Sequence, residues 1–131
     1  MKKNKLEDKS LIVVEDDNFL LEVILEKFKN ASLKAKGFSS GTEALRFLED
    51  YEVTPSLIWL DYYLKDTNGL VFVRLLRKNP QWSNVPVLIV SGYSLDQQKK
   101  DLIKLGVIEC LRKDQHDIKE LVLKAKEILS K

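Results

Sequence analysis

The chain has 131 residues, with 22 basic against 20 acidic side chains and a net charge of +2. That length bounds one domain, able to bury about two-thirds of its unfolded surface around a single core. So balanced a charge gives no argument for electrostatic nucleic-acid binding, which needs a clustered basic face, and apolar runs such as Leu11–Val14 and Val87–Val90 are too short to span a bilayer.

In chain order, Met1–Ser10 is polar, carries Lys2, Lys3 and Lys5, and lacks the apolar segment of a secretory signal. Residues 1–10 are therefore expected to form a flexible leader before one domain over 11–131. Leu11–Val14 is an apolar, β-branched run, as expected for a strand buried on both faces of a parallel sheet. Asn18–Phe28 follows with a helical stripe of Leu20, Leu21, Ile24 and Phe28, capped by Asp17 or Asn18. Ser32–Phe38 reads as a more polar strand at a sheet edge, and Thr42–Leu48 as a helix capped by Ser40 or Thr42. Leu57–Leu60 is the third strand. After a polar loop ending at Gly69, Leu70–Arg77 is helical and must stop near Pro80. Val87–Val90, a helix over Leu95–Leu105 closed by Gly106, the strand Val107–Leu111 and the helix Ile118–Leu129 complete the alternation. The lone Cys110 excludes an internal disulfide and fits a reducing cytoplasm.

Five strand–helix repeats imply a parallel sheet with helices on both faces, because each return to a parallel strand needs a crossover. Such folds bind ligands outside the carboxyl ends of their strands. There the sequence places Glu15, Asp16 and Asp17 after strand one, Asp61 after strand three, Ser91 after strand four and Lys113 after strand five. Any one of these is an ordinary cap or loop residue; the set is not. Carboxylates converging from strands one and three repel each other without a cation. Hard oxygen ligands of this kind suit Mg²⁺, with Asp16 and Asp61 as direct ligands, Glu15 acting from close by or through water, and the Tyr63 backbone carbonyl completing the protein share. Asp61 is then the candidate nucleophile toward a phosphoryl group, forming an acyl phosphate. The Lys113 ammonium and the Ser91 hydroxyl are the groups to meet its other oxygens.

With these residues placed, the chain resembles the receiver domains of two-component response regulators from Leu11 to Leu129. The motifs are Ile12–Asp17 (Ile-Val-Val-Glu-Asp-Asp), Trp59–Asp61 followed by Asn68-Gly69, Val90–Gly92 and Cys110–Lys113. The resemblance implies a flavodoxin-like, doubly wound five-stranded parallel sheet of order 2-1-3-4-5 with five helices. It implies phosphorylation of Asp61 from a histidine phosphate on a sensor histidine kinase or histidine phosphotransfer domain. It also implies that Ser91 reorients toward the phosphoryl group, reshaping the surface of the fourth helix, fifth strand and fifth helix for a downstream effector. The expected protein is a cytoplasmic signalling switch that catalyses its own phosphorylation and slow dephosphorylation rather than a conventional enzyme, with no direct nucleic-acid partner and no membrane insertion.

Three positions depart from the family. Lys65 stands where proline often follows the acceptor, Asp114 where proline often follows the lysine in a cis bond, and Cys110 where a swinging aromatic usually sits. They feed an alternative in which the fold serves as a phosphorylation-independent interaction module. An aspartate-nucleophile phosphatase would want a second aspartate at Tyr63, and a nucleotide or flavin site would want a glycine-rich cradle where three acids stand. Tyr63 and Tyr93 flank the proposed site, as packing or as a restriction on attacking water. Phe19 belongs either to a kinase-docking surface or to the core, and His116 is expected to be solvated.

Overall fold

The structure is a computed structural model and describes residues 6–131. Lys2, Lys3 and Lys5 of the expected leader lie outside the described residues. Leu6–Asp8 form a single 3-10 turn, and the first strand opens at Ser10. The elements are β1 (Ser10–Val14), α1 (Asn18–Asn30), β2 (Lys34–Phe38), α2 (Gly41–Tyr51), β3 (Leu57–Asp61), α3 (Gly69–Lys78), β4 (Val87–Ser91), α4 (Lys99–Lys104), β5 (Val107–Arg112) and α5 (Ile118–Leu129).

The strands form one sheet of order β2-β1-β3-β4-β5, with every pairing parallel. Alternate strand residues point to opposite faces, and both faces are covered. Ile12, Val14, Ile58, Leu60, Val87 and Ile89 pack with Ala44 and Leu48 of α2, Phe72 and Leu76 of α3 and Leu102 of α4. Leu11, Val13, Leu57, Trp59, Leu88 and Val90 pack with Ile24 and Phe28 of α1 and with Leu121 and Ala125 of α5. This two-sided burial is why β3 and β4 are apolar up to their last residues, Asp61 and Ser91, and why β2, at the edge, is not. Trp59 lies fully buried, edge-on to Phe28 at 5.4 Å.

Asp17 caps α1 by accepting from the Leu20 N–H, and Ser40 caps α2 by accepting from the Glu43 N–H. Two of the expected boundaries move for a reason visible in the local backbone. β2 begins at Lys34, not Ser32, because Ser32 takes φ 61° and its N–H, with that of Leu33, closes the end of α1 on Lys29 and Phe28 carbonyls. The helix expected over Leu95–Leu105 is regular only over Lys99–Lys104. Leu95 is buried, as its place in the apolar stripe required, but it starts a turn whose carbonyl accepts from Gln98 and Lys99. Gly106, at φ 85°, closes this helix.

Candidate functional site

The register of the sheet brings the ends of β1, β3, β4 and β5 to one rim. Glu15 leaves β1 with its N–H bonded to the Phe38 carbonyl at 3.0 Å, and its side chain turns inward, 1% exposed. Asp61 closes β3 at 6% exposed and Ser91 closes β4 at 1%. Lys113 follows β5 and is held by its own backbone, whose N–H donates to the Ser91 carbonyl at 2.8 Å. Its Nζ donates to Glu15 Oε1 at 2.9 Å and lies 3.3 Å from Asp61 Oδ2. The bond from Lys113 to Asp114 is trans.

Oxygens of Glu15, Asp16 and Asp61 all lie within 4.8 Å of one another. One ammonium does not neutralise three carboxylates. Burial, then the charge of Glu15, raises the Asp61 pKa from 3.8 to about 7, against the opposing pull of Lys113. Burial alone would lower the pKa of Lys113, but its hydrogen bond to Glu15 and the charge of Asp61 outweigh it and hold the ammonium above the ordinary lysine value. A pocket of hard oxygens with an excess of negative charge is chemically fitted to a small divalent cation.

The Ser91 hydroxyl accepts from the Tyr93 N–H at 3.1 Å, which leaves its own proton to donate. Tyr63 and Tyr93 are both exposed at the rim, ring to ring at 5.7 Å and nearly perpendicular. Phe19 is 78% exposed, not part of the core. His116 is half-buried rather than fully solvated, with its Nδ1 3.9 Å from Glu120 Oε1. Cys110 is half-buried against the α2–α4 side of the core, and burial pushes its thiol pKa up, away from the reactive thiolate. With Ser91, Tyr93, Leu95 and Lys99 it lines a cavity of about 280 Å³.

Sequence reasoning passed over Asp66, treating it as part of a polar loop. Its carboxylate accepts from the Gly41 N–H at 3.1 Å, the Thr42 N–H at 2.8 Å and the Thr42 hydroxyl at 2.6 Å. Burial would raise its pKa, but these bonds outweigh it and hold the carboxyl below the ordinary value. Only the acidic residue within Lys65–Asn68 hinted at it, since a cap supplied from another element leaves no local spacing to read.

Comparison with known proteins decides the family. The response regulator receiver domain profile matches residues 11–126. The chain belongs to the response regulator receiver family. It is 33% identical over 107 residues to the KDP operon transcriptional regulatory protein KdpE of Escherichia coli, covering 79% of this chain and 44% of that protein. Against a CpxR homologue of Haemophilus influenzae it is 31% identical over 120 residues, covering 91% of this chain and 49% of that protein. The receiver thus spans less than half the length of either relative. Among solved structures it resembles the Francisella response regulator 1452 receiver domain with a TM-score of 0.78 at 26% identity, covering 92% and 96% of the two chains. No helix among the described residues is long and apolar enough to cross a membrane.

Proposed function

We propose that this receiver accepts a phosphoryl group on Asp61 from a phosphohistidine of a sensor histidine kinase or histidine phosphotransfer domain, and passes the change to an effector in the cytoplasm. The observation that carries the reading is the placement of Lys113 Nζ between Glu15 and Asp61, beside a third carboxylate, Asp16. Asp16 and Asp61, with the Tyr63 carbonyl, are the residues proposed to hold Mg²⁺ directly, and Glu15 acts from close by or through water. Bound there, the cation supplies charge neutralisation for the acids and for one oxygen of the transferring group.

Asp61 attacks phosphorus through a carboxylate oxygen; a P–O bond forms as the P–N bond to the donor imidazole breaks. Glu15 keeps the Lys113 ammonium in place by the 2.9 Å bond while the same ammonium meets a phosphoryl oxygen. Ser91 donates its free proton to another, and in turning to do so loosens its bond to the Tyr93 N–H. A step that transfers charge into so crowded an anionic pocket depends on positioning and electrostatics rather than on a general base.

The test is to add Mg²⁺ with a small phosphoryl donor, or with beryllofluoride, and follow intact mass and tryptophan fluorescence. A Mg²⁺-dependent adduct on wild type, lost in Asp61→Asn, is expected. An adduct that persists in Asp61→Asn overturns the assignment of the acceptor. No adduct on wild type favours the second reading, a receiver fold used as a phosphorylation-independent interaction module, to which the absence of an aromatic at Cys110 points.

A further inference from the structure

The loop between β3 and α3, residues 62–68, presents the Tyr63 backbone and contains no proline to stiffen it. Its order comes from bonds. The Leu64 N–H donates to the Thr67 carbonyl at 3.1 Å, Tyr63 pairs with Asn68 as an antiparallel bridge, and the Gly69 N–H donates to the Tyr62 carbonyl at 2.7 Å. These bonds close the loop on itself; at its start the buried Tyr62 donates its N–H to the Val90 carbonyl at 3.2 Å and Leu64 packs against the core, which ties that end to the sheet.

Asp66 ties the other end of the loop to α2. Both its oxygens are engaged at the start of α2, on Gly41 and Thr42. The first turn of α2 is thereby shared between two caps: Ser40 takes the Glu43 N–H through its hydroxyl and the Ala44 N–H through its carbonyl, and Asp66 takes the two N–H groups before them. The contact is close as well as polar. A Cβ on Gly41 would stand 2.6 Å from Thr67 Cγ2, so the loop reaches the helix only because residue 41 has no side chain.

We infer that Asp66 is a positioning residue for the cation site: its bridge to α2 fixes the loop that presents the Tyr63 carbonyl. The inference rests on the functional reading above, in which that carbonyl is a ligand. Freed from α2, the 63–68 turn keeps its internal bonds but moves as a unit, and the carbonyl is no longer held against the acids. Mg²⁺ tolerates such displacement poorly, because it demands near-ideal octahedral geometry.

The experiment measures Mg²⁺ affinity by calorimetry, thermal midpoint, and amide hydrogen exchange at Gly41 and Thr42. It uses wild type, Asp66→Ala, Asp66→Asn and Thr42→Val, with Ala125→Gly on the far side of the sheet as a control for stability alone. Asp66→Ala is expected to weaken Mg²⁺ binding about tenfold and to speed exchange at both amides. Asp66→Asn and Thr42→Val, which keep part of the bridge, should fall between it and wild type. Ala125→Gly should lower the midpoint with Mg²⁺ affinity unchanged. If wild type binds Mg²⁺ and Asp66→Ala binds it equally well, or if Ala125→Gly weakens it as much, the positioning role is overturned while the functional reading stands. If wild type binds no Mg²⁺, the functional reading fails and takes this proposal with it.

Discussion

Lys113 donates to Glu15 at 2.9 Å across 98 residues of sequence, and the same ammonium lies 3.3 Å from Asp61. One cation therefore serves two carboxylates, of which Glu15 has essentially no contact with water. Removing one partner of a buried ion pair leaves an uncompensated charge, which is more damaging than never having had the pair.

Replacing Lys113 by Met is accordingly expected to destabilise the metal-free receiver at pH 7 by about 3–5 kcal/mol in urea unfolding. Mg²⁺ should restore part of the loss. Adding Asp61→Asn to the Lys113→Met variant should restore little at pH 7, where Asp61 without the pull of Lys113 largely keeps its proton, and more as pH rises and that carboxyl ionises beside Glu15. Wild-type stability in the Lys113→Met protein would refute the ion pair as an organising contact.

The raised pKa of Asp61, from 3.8 to about 7, makes a signed prediction about pH. The folded state holds this proton more tightly than the unfolded state, so between these two values the native protein binds more protons. Its stability falls as pH rises from about 4 through 7, then levels. The part due to Asp61 is on the order of a few kcal/mol. Asp61→Asn should flatten that part of the curve, and in wild type Mg²⁺ affinity should rise with pH across the same range as the proton ceases to compete. Parallel curves for wild type and Asp61→Asn would contradict the burial and repulsion argued for this carboxyl.

Tyr63 and Tyr93 meet ring to ring at the rim; on the function proposed above, their bulk would restrict a water attacking the phosphorylated Asp61. Truncating either to Ala is expected to speed dephosphorylation of the acyl phosphate about tenfold, a barrier change of about 1.4 kcal/mol. Unchanged decay in both variants would reduce the pair to surface packing.

Gly69 begins α3 with no room for a side chain. An added Cβ would meet Tyr62 Cδ1 at 2.6 Å and Ile89 Cδ1 at 3.2 Å. Gly69→Ala should cost about 1–3 kcal/mol by overpacking, read as a lower urea midpoint. A variant as stable as wild type would mean that the Tyr62 ring yields freely.

The order of elements was legible because β3 and β4 are apolar at nearly every position and the helices carry clear stripes. Glu15, Asp61, Ser91 and Lys113 were legible as a set because the fold class fixes where strand ends meet, whereas any one of them read singly is an ordinary loop residue. Less visible was what tertiary contacts decide. Leu95 shows the spacing of a helix but is buried from a turn, so periodicity extended α4 too far. Asp66 caps a helix that lies 24 residues earlier in the chain, and local pattern carries no trace of that. The exposure of Phe19 was equally undecided until α1 was seen to turn Leu21, Ile24 and Phe28 inward instead.

The ammonium that contacts both Glu15 and Asp61 comes from just beyond the last strand, while the acids come from the ends of the first and third. A chain emerging during synthesis can therefore build most of its sheet and still have opposed anions with nothing between them. The neutralising charge can reach the acids only once β5 lies beside β4, so the rim is electrostatically complete only in the whole five-stranded sheet.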